Sequence, residues 1–236
     1  TDFLGKFKIL SANVLYLDLE MGESALKERF AKMCAKESLA AENLFVKSLP
    51  GIDLMNPSDM QMIQGWIKNL KIDVLIIDPL GSAWRGNENA QVEVQPFTIL
   101  LNQELIAKYG VALLFSHHWR KPTKDSTTGG HMAAGSYRWE AWLDNHITLE
   151  GSSANIKISS AKSRNTPPFK PFMAKLNPDS LWLEFTGDFV QTVFDSALVK
   201  LFESFGCDKV SVPDLIKQAE DKSKPICSET TLRKLI

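Results

Sequence analysis

The stretch VLYLDLEMGE, Val14 to Glu23, decides how the whole chain reads. It opens with four apolar residues and then runs acid, leucine, acid: Asp18, Leu19, Glu20. A strand that only fills a core has no use for Glu20. A strand that delivers a base to a reacting group does. The question is whether the rest of the chain builds a site around that strand end.

Outward from it, the periodicity alternates between strand and helix. Residues 13–19 read as a buried strand, and 23–36 as an amphipathic helix with Leu26, Phe30 and Met33 on one face. Residues 44–49 give a short strand. Pro57, Ser58 and Asp59 open a second helix that runs to Leu70. The run DVLII, Asp73–Ile77, is continuously apolar after its first residue, as in a strand buried on both faces. A third helix spans 93–109 and closes at Gly110, and Val111–Phe115 forms another buried strand. Strands separated by helices of this length imply right-handed crossovers and a mainly parallel sheet. After His117 the pattern shortens: residues 146–150, 155–160, 172–176 and 181–185 predict an antiparallel extension on one edge. Residues 187–236 shift composition again and read as three short helices. VSVPDLIKQA and SETTLRKLI there have the rhythm of a helix-turn-helix. The expected organisation is an α/β core over 1–186 and a small helical module over 187–236.

Composition sets limits. The chain has 236 residues, 44% of them hydrophobic, and a net charge of -1, so no global basic field draws it to nucleic acid or membrane. No apolar run approaches the ~18–20 residues of a membrane span. The first residues, TDFLGKFK, lack the order of a signal peptide. Three distant cysteines, Cys34, Cys207 and Cys227, form no CxxC pair, so neither a zinc site nor a disulfide framework is indicated. A reducing cytoplasm is the expected setting.

Parallel α/β sheets place ligands beyond the carboxyl ends of their strands. Three strands here end in polar groups: Asp18 and Glu20; Asp78 within VLIIDPLGS; and Ser116, His117 and His118. An acid after an apolar strand suits a carboxylate that holds magnesium. Asp78 alone fits the start of a turn equally well, and Glu20 alone fits a helix cap. Together they match hydrolysis, which needs one acid for the metal and one base for the water.

With these residues in view the chain resembles the RecA-like P-loop NTPases, and among them the RepA-type hexameric replicative helicases. VLYLDLEMGE is similar to their catalytic-glutamate strand, and IDVLIIDPLGSAWRGNENA to their Walker B strand and following loop. GVALLFSHHWRKP resembles the strand that ends in a γ-phosphate sensor. GSYRWEAWLDNHITLE and ISSAKSRNTPPF resemble later motifs of those helicases. The resemblance runs from about Phe3 to Phe185 with the motifs in order. It implies that Glu20 polarises the attacking water, that Asp78 binds Mg2+ beside ATP, and that His117 senses the γ-phosphate. It also implies that Arg164, with Lys162 beside it, reaches a neighbouring subunit's nucleotide, with Arg138 as a second candidate finger. Without the other motifs, Lys162 and Arg164 would read as a solvated basic turn.

One part is missing. No GxxxxGK[ST] phosphate loop occurs, and Gly5-Lys6 in FLGKF is followed by Phe. FLGKF reads instead as the loop ahead of the glutamate strand. A fragment of a longer protein and a relative that lost nucleotide binding are the competing explanations. Retention of Glu20, Asp78, His117 and Arg164 favours the fragment. Without the loop, the chain as given is expected to hydrolyse ATP poorly.

Trp119, Arg120, Lys121 and Lys124 follow His117 directly, and a Trp beside cations suits stacking and phosphate contact with single-stranded DNA. An ordinary surface loop explains residues 125–135 equally well. The implied assembly is a homo-hexamer or other ring, away from membrane. The leading expectation is an ATP-dependent DNA motor. Its rivals are a RecA-like ATPase switch in recombination or regulation, and a non-catalytic DNA-binding scaffold.

Overall fold

The structure is a computed structural model that describes residues 2–35, 42–117 and 137–189. All but Phe189 lie in one compact unit, Thr1–Asp188. The helical reading of 187–236 falls almost wholly outside these residues, as do His118, Trp119, Arg120, Lys121 and Lys124.

In chain order the elements are β1 (Asp2–Phe3), β2 (Phe7–Lys8), β3 (Val14–Asp18), α1 (Glu23–Ala35), β4 (Leu44–Ser48), α2 (Pro57–Leu70) and β5 (Val74–Asp78). Then come α3 (Gln91–Leu101), β6 (Ala112–Phe115), α4 (Tyr137–Trp142), β7 (Asn145–Ser152), β8 (Asn155–Ser163), β9 (Phe172–Leu176) and β10 (Leu183–Asp188).

Strands β4-β3-β5-β6 make a parallel sheet in that order. Leu15, Leu75 and Leu113 lie in register, as do Leu17, Ile77 and Phe115, so all six share one face. That face forms the main core with Ile63 and Ile67 of α2 and Val94, Phe97 and Leu101 of α3. The other face carries Tyr16, whose ring meets Phe30 of α1 edge-on at 5.7 Å. The split follows from handedness. The crossover from β3 to β4 moves one way along the sheet and those to β5 and β6 move the other way. Right-handed connections then put α1 on one face and α2 and α3 on the opposite one. Among the described residues nothing covers the α1 face of β6: Ala112 is exposed and Leu114 is 54% exposed.

Helix α2 starts where its sequence says. Asn56 Oδ1 accepts from the Ser58 amide at 2.9 Å, Pro57 fills the first turn, and Lys71 closes the helix in the left-handed region. The third helix differs from expectation. It begins at Gln91, and Asn102–Ala107 continue it as a π-helix before Gly110 turns at φ +70°. Periodicity reports which side of a helix is buried, not its hydrogen-bond register.

The antiparallel extension is present and hydrogen-bonds as its own sheet, β10-β9-β8-β7. Its small core of Ile158, Phe172 and Ala174 is covered by Leu4, Phe7, Phe169 and Leu183. The FLGKF segment is a β1–β2 hairpin, with Leu4 and Gly5 both at positive φ. Its Lys6 pairs with Asp188 and sits 4.0 Å over the Phe185 ring, so this lysine belongs to the antiparallel sheet.

Candidate functional site

The strand order reverses between β3 and β5, and their carboxyl ends sit at that switch point. Asp18 and Asp78 are in register there. The ladder continues past the strands: Leu19 N donates to Asp78 O at 2.9 Å, Leu49 N to Asp18 O at 2.8 Å, and Ser116 N to Ile77 O at 3.2 Å. Backbone pairing therefore fixes where each terminal side chain begins.

The two aspartates do different work. Asp18 is buried, at 1% exposure, and its carboxylate accepts from Met21 N at 3.0 Å, Gly22 N at 2.9 Å and Ser48 Oγ at 2.9 Å. Burial pushes its pKa up, but these hydrogen bonds and one from the Glu20 amide together hold it below the usual carboxylate range. Asp18 thus ties down the turn between β3 and α1, in which Gly22 takes φ +83°. Glu20 stands in that turn, exposed to solvent. The pair of acids in the sequence resolves into one that shapes the turn and one that the turn presents.

Asp78 is half-buried and bound at both oxygens: Tyr16 donates its hydroxyl to Oδ2 and Ser116 donates its hydroxyl to Oδ1. Burial raises the Tyr16 pKa, and the hydrogen bond to Asp78 and the charges of Asp78 and Asp18 raise it further, so the phenol remains a donor. Tyr16 and Ser48 were not among the expected site residues. A tyrosine two positions before Asp18 lies on the same side of the strand, but the sequence does not show that its partner is Asp78 on β5.

The donors around Asp78 are all oxygen, which suits a hard cation. Among the described residues no three His, Cys, Asp or Glu side chains cluster as a self-sufficient metal site. Mg2+ fits that arrangement, because it keeps several waters and takes one or two carboxylates together with substrate phosphates.

His117 follows Ser116 at the end of β6, with its ring 6.3 Å from that of Trp139. Trp139 is buried on α4, donates its indole N–H to Glu88 O at 3.2 Å, and packs edge-on against Trp84 and Phe97. Trp84 in turn stacks on Phe97 at 4.7 Å. Trp142 stacks on Phe115 at 5.3 Å. This aromatic cluster anchors the loop after β5 and docks α4 beside the end of β6.

The expected cations gather at α4 rather than at the strand ends. Lys162 Nζ donates to the Glu140 carbonyl, and to that of Ala141 at 3.3 Å. Arg164 donates to the Ala141 carbonyl at 2.9 Å and to Asp144 Oδ1 at 2.8 Å. Both side chains serve the last carbonyls of a short helix, as cations near a helix C-terminus do. Arg138 lies on α4 itself, 5.7 Å from the Tyr137 ring. The structure thus joins Asp78, Ser116 and Tyr16 directly, sets Asp18 in register with Asp78, carries Glu20 and His117 just past the ends of their strands, and sets Arg138, Lys162 and Arg164 around α4.

No helix among the described residues is long and apolar enough to cross a membrane. No curated protein matches the chain. Among solved structures, that of the RadB recombinase superposes with a TM-score of 0.52 at 13% identity, covering 74% of this chain and 79% of that one. The likeness establishes the RecA-like fold. A family model, AAA_25, described as an AAA domain, matches residues 1–124, the segment that carries Glu20, Asp78 and His117. This chain belongs to the AAA_25 family of AAA domains.

Proposed function

We propose that the chain is the core of a ring-forming, ATP-driven DNA motor of the RepA-type replicative helicase class. The observation that carries this reading is the set of strand ends at the switch point: Asp78 bound on both oxygens, Glu20 exposed in the turn after β3, Ser116 and His117 just past the end of β6. Glu20 orients a water and takes its proton as the water attacks the γ-phosphate. Asp78 holds the coordination sphere of Mg2+, which when bound neutralises charge on the phosphates. His117 contacts the γ-phosphate from the end of β6. Arg164 trades Asp144 for a neighbouring subunit's nucleotide, with Lys162 and Arg138 beside it. A planar cation spreads over several phosphate oxygens at once. Trp119, Arg120, Lys121 and Lys124 take single-stranded DNA.

The reading requires a phosphate-cradling loop from outside these 236 residues. What supports the requirement is the sheet: parallel sheets are covered on both faces, yet among the described residues β6 is an edge strand with Leu114 exposed on the α1 side. A strand pairing with β6 and a helix over that face would deliver such a loop beside Asp78.

A second reading is an ATPase switch in recombination that does not unwind DNA, and it draws on the fold shared with RadB. The test uses the product of the complete reading frame. Mg2+-dependent ATP hydrolysis is expected, with Glu20→Gln lowering turnover about a hundredfold or more while nucleotide binding persists. Absence of hydrolysis in the unsubstituted protein leaves the scaffold reading. Hydrolysis without strand displacement favours the switch.

A further inference from the structure

Tyr16 has a hydroxyl that strand packing does not explain. A phenylalanine would fill the same place on β3 and meet Phe30 of α1 equally well. The register puts Asp78 opposite Asp18, one residue pair beyond Tyr16 on the same face of the sheet. From there the phenol reaches diagonally to Oδ2 while Ser116 holds Oδ1 from the other side. Three parallel strands thus fix one carboxylate. Asp18 cannot substitute for it, because its oxygens already serve Met21, Gly22 and Ser48.

We propose that Tyr16 is a positioning residue for Asp78, locking the carboxylate in one orientation so that its remaining lone pairs meet the hydrated cation of a Mg-nucleotide. The proposal rests on the reading of Asp78 given above. A carboxylate offers about four lone-pair sites. The two internal donors take one on each oxygen and leave one on each for water or metal. Without the phenol, only the exposed Ser116 hydroxyl restrains rotation of the carboxylate about the Cβ–Cγ bond, and each metal-binding event must order Oδ2 again. Ser116 acts in the same way on the other oxygen, but it is exposed and more easily replaced by water.

The experiment uses the product of the complete reading frame, with Mn2+ as the probe, titrated by electron paramagnetic resonance in the presence of ADP. Tyr16→Phe is expected to weaken Mn2+ binding about tenfold, the scale of one hydrogen bond to a charged group. The Mg2+ concentration for half-maximal hydrolysis should rise by a like factor, with turnover recovering at saturating Mg2+. Melting temperature and KM for ATP at saturating Mg2+ should stay near their unsubstituted values. Ser116→Ala should shift metal binding in the same direction by less. Unchanged Mn2+ binding in a folded Tyr16→Phe protein overturns the proposal. So does lost turnover at every Mg2+ concentration with metal affinity intact. If the unsubstituted protein binds no Mn2+ with ADP, the metal role of Asp78 itself fails, a result distinguishable from the first two.

Discussion

The acids at the ends of the parallel strands and the cations around α4 are held in different ways. Asp18 and Asp78 grow out of a backbone ladder that extends past the strands, and their oxygens are bound by the next turn or the next strand. Lys162 and Arg164 reach across from β8 and its following turn to carbonyls of a six-residue helix, and the Arg164–Asp144 pair is about half exposed. The first group is built into the sheet. The second is attached to it by contacts that water and salt can replace. An acid that must hold a metal at a fixed place gains from the first arrangement. A cation that must change partners during a cycle gains from the second.

The contrast breaks most easily at Asp18. Asp18→Ala removes a buried acceptor for the Met21 and Gly22 amides and the Ser48 hydroxyl, and should cost about 3 kcal/mol in chemical denaturation. The pH dependence has a definite sign. The folded pKa lies below the unfolded one, so the contribution is complete above the ordinary carboxylate range and is lost as pH falls through the depressed folded value. The acid limb of the stability profile should therefore flatten in Asp18→Ala. A retained limb would mean that other carboxylates carry it.

The aromatic cluster joins the two regions and offers the next test. A Cβ at Gly86 would lie 2.0 Å from Cζ3 of Trp84, whose ring is stacked on Phe97 and edge-on to Trp139. Gly86→Ala should destabilise by about 2 kcal/mol, with a change in tryptophan fluorescence as Trp84 is displaced. An unchanged spectrum and melting temperature would show that the loop yields and the cluster does not anchor it.

The smallest expected effect sharpens the comparison from the other side. Arg164→Ala should lower stability by no more than about 0.5–1 kcal/mol, since the pair it leaves is half exposed. A loss of several kcal/mol, measured by thermal melting, would place Arg164 among the structural residues and count against the proposed exchange of Asp144 for a nucleotide.

Much of this was legible in the chain itself. The strand at Val14–Asp18, the helix at Glu23–Ala35 and the strand at Val74–Asp78 follow from periodicity, because a residue buried on a regular element repeats at that element's spacing. The caps of α2 are short-range chemistry and read directly. The polar residues at the strand ends stood out against apolar runs. Less legible were the partners. Nothing in VLYLD says that its tyrosine will meet Asp78 or that its aspartate will meet Ser48, since both contacts depend on strand order. The cations in AKSRN likewise gave no hint that α4 would claim them.

The sequence by itself determined the parallel α/β class, the covered face of the sheet and the acids at the strand ends. These depend on burial and local hydrogen bonding, which act over a few residues. Only the tertiary structure decided that Asp18 ties down the turn after β3 and that Tyr16 and Ser116 together hold Asp78. A carboxylate's role is set by the donors that surround it, and for Asp78 those donors lie 38 residues away at Ser116 and 62 residues away at Tyr16.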